Sequence, residues 1–138
     1  MNQIQIEIRE LLDLLKNNYS DALKPASYEK VNNFKINAEQ KGVNKEVIEQ
    51  LADLYLVADN FMAEIIMGFH PCDDDIVFEW WNENELWIGQ RDFNTLRWTN
   101  GKFCLGDAGS ISYSKKDEYN TLIELIKGCI KEIKELEE

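Results

Sequence analysis

The nucleophilic chemistry open to this chain is limited by its single histidine, His70, in the run His70-Pro71-Cys72-Asp73-Asp74-Asp75. A Ser-His-Asp or Cys-His site needs an imidazole as base, so any such site would have to be built on His70. The run holds metal-ligand residue types, but its spacing matches no standard zinc site and reads as a turn with a solvated acidic stretch. Cys72, Cys104 and Cys129 are odd in number and form no CxxC, which argues against a disulfide framework or a zinc ribbon. Cys104 and Cys129 lie in apolar patterns, where a free thiol behaves as a small hydrophobe. Paired carboxylates can hydrolyse glycosides, yet 26 acidic residues in 138 produce such pairs by chance. Gly89, Gly101, Gly106 and Gly109 build neither a GxGxxG turn nor a P-loop. The expectation is a protein with no catalytic residues, no cofactor and no metal, and a carboxylate-based enzyme ranks last among the readings.

What stands out instead is acid beside aromatic. The net charge is −11. Between residues 59 and 92, nine acidic side chains stand against one basic one, Arg91. A field of that sign repels nucleic-acid phosphates. It attracts a basic protein and speeds the encounter. Tryptophan is enriched among residues that dominate interface energy, and a tryptophan ringed by carboxylates suits Arg- or Lys-rich partners through cation–π contact and ion pairing. The candidate partner-binding residues are therefore Asp73, Asp74, Asp75, Glu79, Trp81, Glu83, Glu85 and Trp87. The bland alternative is a solvated acidic surface with tryptophans covering a small sheet.

The elements that must position these residues follow from periodicity. Ile4, Ile8, Leu11, Leu12 and Leu15 recur at three- and four-residue spacing and predict a helix. Asn17-Asn18 weakens it and Pro25 forbids its continuation. Residues 26–42 read either as a short helix or as a packed loop ending near Gly42. A second clear helix starts at the N-cap Asn44 and ends near Asp59-Asn60. From Phe61 to Phe69 the period becomes 2, with apolar residues on both faces, which predicts a central strand. Ile76 to Trp81 and Glu85 to Gln90 read as strands joined through Asn82-Glu83-Asn84. Thr95 to Thr99 and Lys102 to Gly106 are joined by Asn100-Gly101, a strong hairpin signal. Ser110 to Tyr113 reads as a short strand. A long helix then starts at a Ser114–Asp117 capping box, with Tyr119, Leu122, Ile123, Ile126, Cys129, Ile130, Ile133 and Leu136 as its apolar stripe. Gly128 within it reads as a point of close contact with the sheet. The order of elements predicts a single α+β domain over residues 1–138. Its antiparallel meander sheet of five to six strands packs on N-terminal helices and a long C-terminal helix.

Register decides which side chains share a face. The Asn100-Gly101 turn sets Thr99 opposite Lys102, Trp98 opposite Phe103 and Leu96 opposite Leu105, an apolar side that should pack on the helices. In the preceding hairpin a three-residue loop pairs Trp81 with Glu85 and puts Trp80 with Ile76, Phe78, Leu86 and Ile88 on the core side. Glu79, Trp81, Glu85 and Trp87 are then left on the opposite side. A two-residue loop would bring Trp80 and Trp87 together and mix polar with apolar residues, so it is disfavoured.

Three segments carry a family resemblance: Phe78-Glu79-Trp80-Trp81, the run Leu86-Trp87-Ile88-Gly89-Gln90-Arg91-Asp92-Phe93, and the run from Arg97 to Ala108. Together with the rest of Val43–Glu138 they resemble small bacterial members of the SUKH superfamily, which includes the Smi/Knr-like regulators of fungal cell-wall and glucan synthesis. The resemblance implies an α+β domain with helices on a meander sheet. It implies an immunity protein that binds and neutralises a toxin, often a nuclease, or alternatively a regulatory scaffold of the glucan-synthesis type. It brings no catalytic or cofactor residues. The first residues, Met1 to Glu10, lack a basic region followed by an apolar stretch, and no apolar run is long enough to span a bilayer. A cytoplasmic protein with no membrane contact is expected.

Overall fold

Helices begin in this chain where a side chain can hold the first backbone N–H groups. The computed structural model describes residues 1–19, 23–63, 67–91, 94–107 and 118–137. In α1 (Gln3–Tyr19) the stripe is buried at Ile8, Leu12 and Leu15, whereas Ile4 keeps 42% of its surface exposed. Residues 28–41, left open between helix and loop by the sequence, form α2 (Tyr28–Lys41). Ser27 Oγ accepts from Lys30 N at one end, and Gly42, at φ +87°, closes the other by donating to the Ala38 and Glu39 carbonyls. Val31, Phe34 and Ala38 are its buried face. In α3 (Lys45–Val57) Asn44 Oδ1 accepts from Glu46 N at 2.8 Å, the cap expected there.

Six antiparallel strands follow in sequence order: β1 (Met62–Ala63), β2 (Met67–Phe69), β3 (Glu85–Arg91), β4 (Asn94–Thr99), β5 (Lys102–Asp107) and β6 (Glu118–Tyr119). The fold class is therefore the expected one, α+β with a meander sheet. The Asn100-Gly101 turn has φ of +51° and +81°, and its register is the one read from the sequence.

Two expected strands are not formed as read. The run from Phe61 to Phe69 is not one central strand. Met62 pairs with Gly68 and Ala63 with Met67, so it folds on itself at the edge of the sheet; residues 64–66 lie outside the described residues. Alternation alone cannot separate one strand from two. Glycine can: a Cβ on Gly68 would strike Met62 Sδ, and one on Gly89 would strike the Gly68 carbonyl. The close pass of β2 and β3 needs Gly89, whose Cβ would meet backbone, whereas at Gly68 the flexible Met62 side chain would have to move.

The second correction concerns Ile76 to Trp81, which is two 3₁₀ turns, Asp75–Phe78 and Trp81–Glu83, and no strand. Asp74 Oδ1 accepts from Ile76 N at 3.0 Å and starts the first turn. Asn84, at φ +63°, ends the second. The edge of β3 that this segment was expected to pair with is occupied by β2 (Gly68 opposite Gln90, Phe69 opposite Gly89).

α4 (Leu122–Glu137) starts later than expected. Tyr119 belongs to β6, opposite Phe103, and the cap is Thr121, whose Oγ1 accepts from Glu124 N at 3.2 Å while Glu124 Oε2 accepts from Asn120 N at 3.1 Å. The expected cap Ser114–Asp117 and strand Ser110–Tyr113 lie outside the described residues. A Cβ on Gly128 would run into the Tyr119 ring, so the close contact expected there is with β6.

Cross-strand partners share a face, which sorts the sheet. Phe69, Leu86, Leu96, Phe103 and Leu105 join one core with Ile8, Leu51, Leu122 and Ile126. Arg91 reaches from β3 to Glu132 of α4 at 2.7 Å. Trp87, Arg97 and Cys104 are aligned on the opposite face. Among the described residues no helix is long and apolar enough to cross a membrane.

Candidate functional site

The acidic stretch and the tryptophans meet around the 3₁₀ segment that joins β2 to β3. Three contacts fix that segment. The Phe78 ring stacks on Phe34 of α2, with centroids 6.1 Å apart and 25° between planes. Trp81 Nε1 donates to the Lys41 carbonyl at 2.9 Å. Trp80 stacks on Trp87 at 4.5 Å and 9°. The pairing that the three-residue loop disfavoured is thus the one that forms, because Trp80 is carried by a turn and not by a strand.

The Trp80–Trp87 stack is part of a longer column. The Arg97 guanidinium lies 4.3 Å from the Trp80 ring centroid, and its Nη1 is 3.2 Å from Glu85 Oε2. Arg97 Nε donates to Thr95 Oγ1 at 2.7 Å, and that hydroxyl donates to the Gly106 carbonyl at 3.3 Å. At the other end His70 meets Trp87 edge-on at 5.0 Å and 89°. Trp87 Nε1 donates to the Gly89 carbonyl at 2.9 Å. Arg97 is 4% exposed, so this is a charge held inside the protein by a carboxylate and a π face.

Of the sequence-predicted residues, Asp73, Asp74, Asp75, Glu79 and Glu83 come together as exposed carboxylates along the segment. Asp73 shares Lys30 with Asp59, at 3.4 Å and 3.2 Å. Asp74 caps the first turn. Asp75, Glu79 and Glu83 have no cation within ion-pair distance among the described residues. The other three are drawn into the structure: Trp81 turns to α2, Glu85 to Arg97, and Trp87 lies between Trp80 and His70. They do not form the common open face that the expected hairpin gave them.

A cleft of about 330 Å³ opens between the acidic stretch and α2. Asp73, Asp74 and Asp75 line one side, Lys30, Asn33 and Asn37 the other, with Phe34, Phe78 and Cys72 completing it. Sequence reasoning missed the α2 side. The signal was present, because residues 30, 33, 34 and 37 have the spacing of one helical face, but the sequence leaves this segment open between a short helix and a packed loop.

The neighbouring nucleophile candidates are quiet. Burial pushes the Cys72 thiol up to about 12, and Asp59 reinforces the shift, so it is a neutral thiol at physiological pH. Burial lowers the His70 pKa, partly opposed by Asp74, and its Nε2 is buried without a hydrogen-bond partner among the described residues. The ring faces Trp87, so the pair lacks the thiolate and the aligned base that covalent catalysis uses. Burial pushes the Tyr55 hydroxyl further above its ordinary value, so it too stays neutral. Among the described residues no three His, Cys, Asp or Glu side chains converge on a point where a metal ion could sit. The cleft combines cation-receiving groups, the Asp73–Asp75 carboxylates, the Asn33 and Asn37 amides and two aromatic rings, with a resident cation, Lys30, 3.4 Å from Asp73. No family model, no curated protein and no solved structure matches this chain.

Proposed function

We propose that this chain is a non-enzymatic protein-binding domain of the immunity type, which neutralises a basic toxin by covering its functional surface. The observation that carries the reading is the set of exposed carboxylates from Asp73 to Glu83 on a segment pinned at Phe78, Trp80 and Trp81. A pinned segment loses little freedom on binding, so its charges act as a preformed surface. The acidity is the reason for a basic partner, and the resemblance to the SUKH superfamily is the reason for a toxin. A net charge of −11 opposes direct contact with nucleic-acid phosphates, and the proposed place of action is the cytoplasm.

The mechanism has two stages. Carboxylates at Asp75, Glu79 and Glu83 steer the encounter. An Arg or Lys side chain of the partner then enters the cleft between Asp73–Asp75 and Asn33–Asn37 and lies against Phe78. Lys41 Nζ lies 5.2 Å from the Phe78 centroid and Lys30 Nζ 3.4 Å from Asp73 Oδ2, so the partner's cation takes the place of these lysines, whose exposed contacts exchange at little cost. Trp81 and Trp87 are used within the protein and support the segment from beneath.

Affinity capture of the tagged protein from lysate of its source, at low and moderate salt, tests the reading. One stoichiometric basic partner, weakened by salt, is the expected result. Many faint partners would support a regulatory scaffold instead, and no partner would remove the binding reading.

A further inference from the structure

A second surface, away from the acidic segment, has the build of a docking groove. It measures about 650 Å³ and lies between the first turns of α1, the N-terminal half of α3 and the start of α4. Its apolar part is made by Ile4, Ile8, Leu122 and Ile123. Ile8 and Leu122 are buried, but Ile4 is 42% exposed: among the described residues the apolar stripe of α1 runs one turn past the core and is left partly open.

The groove walls are fixed by side-chain hydrogen bonds. Asn2 Nδ2 and Gln5 Nε2 both donate to Asp53 Oδ1, at 3.2 Å and 2.9 Å, which ties the start of α1 to α3. Leu122 N donates to Gln50 Oε1 at 2.8 Å, which ties the start of α4 to α3. A groove held in this way exists before its occupant arrives.

The rim selects the occupant. Glu7, Glu46, Glu49, Asp53 and Glu124 stand around it against Lys45 and Lys127. The lysine contacts at the rim, Lys127 with Glu7 at 3.0 Å and Lys35 with Glu49 at 3.4 Å, are exposed pairs that exchange at little cost. A second copy of this chain would bring the same acidic rim and a net charge of −11 to the contact, so self-association is opposed. We propose that this groove docks an amphipathic helix of a partner protein, with apolar residues on one face and Lys or Arg along its flanks. The proposal does not depend on the cleft at Asp73–Asp75.

The test uses the full chain and a synthetic 18-residue helical peptide with leucine at i, i+3, i+4 and i+7 spacing and lysine elsewhere. Its twin carries glutamate for lysine. Backbone amide shifts locate the contact. The lysine peptide is expected to shift Ile4, Gln50 and Ile123, to bind more weakly as salt rises, and to outcompete its acidic twin. Ile4→Asp should weaken it by about tenfold or more, with helix content and melting temperature unchanged, and Glu49→Lys should weaken it less. Asp75→Lys, in the acidic segment, should leave it unaltered. Shifts confined to residues 73–83, equal binding of the twin, or no binding would overturn the proposal. Loss of partner capture with groove binding intact would instead count against the cleft alone.

Discussion

The two faces of the sheet are stabilised in different ways. The inner face, Leu86, Ile88, Leu96, Phe103 and Leu105, is closed against helices by apolar area. The opposite face carries a column, Glu85–Arg97–Trp80–Trp87–His70, in which charge, π face and hydrogen bond alternate. Area burial degrades gradually, since a truncated leucine leaves a cavity into which neighbours partly collapse. A buried charge network degrades abruptly, because removing one member leaves the other desolvated and unpaired. The column also supports the acidic segment through Trp80, so the face that is most sensitive to single changes is the one nearest the proposed binding surface.

That contrast can be broken or sharpened by substitution. Arg97→Ala should have the largest effect, about 3–5 kcal/mol by denaturant unfolding, because it takes the guanidinium away from both the Trp80 ring and Glu85, which is 14% exposed. Replacing both partners, Arg97→Met with Glu85→Gln, should cost clearly less than the single change. Equal losses would mean that the column is held by packing and not by charge. On the inner face Leu96→Ala should cost about 2–4 kcal/mol, with no second substitution that restores it by removing a partner. At the seam between β2 and β3, Gly89→Ala forces a Cβ against the Gly68 carbonyl and should cost about 1–3 kcal/mol. The smallest effect belongs to His70. Burial holds its folded pKa below the ordinary imidazole value of 6.5, so below pH 6.5 the unfolded chain binds more protons than the folded one. Stability from this group is complete above pH 6.5 and is lost as pH falls through the folded pKa. A pH series of unfolding curves should show that loss in the wild type and a flatter profile in His70→Phe.

Much of this architecture was legible where local chemistry decides it. Asn44 and Asn100-Gly101 carry their own cap and turn geometry and form where the sequence puts them, and the stripe of α4 is helical from Leu122, although Tyr119 ahead of it belongs to β6. The errors fall where a pattern had two solutions of equal period. Phe61 to Phe69 alternates equally well as one strand or as two folded together, and only the glycine contacts distinguish them. Ile76 to Trp81 alternates like a strand, but the Asp74 side chain starts a 3₁₀ turn first and β2 takes the free edge of β3. That single change moved Trp80 from the expected core face onto Trp87, and it drew Trp81, Glu85 and Trp87 out of the expected binding face. The carboxylates Asp73, Asp74, Asp75, Glu79 and Glu83 remained exposed because charge does not depend on register. The helical face of the α2 wall was legible in the spacing of residues 30, 33, 34 and 37, but its long-range pairing, Phe34 with Phe78, was not, because local periodicity does not name a distant partner.

The most direct measurement is the association of the captured partner with the wild type and with Asp75→Lys/Glu79→Lys, followed by stopped flow at low and moderate salt. The acidic segment is the docking surface if the double variant associates about tenfold more slowly at low salt, with the difference shrinking as salt rises. Identical association rates for the two proteins at low salt would contradict that assignment.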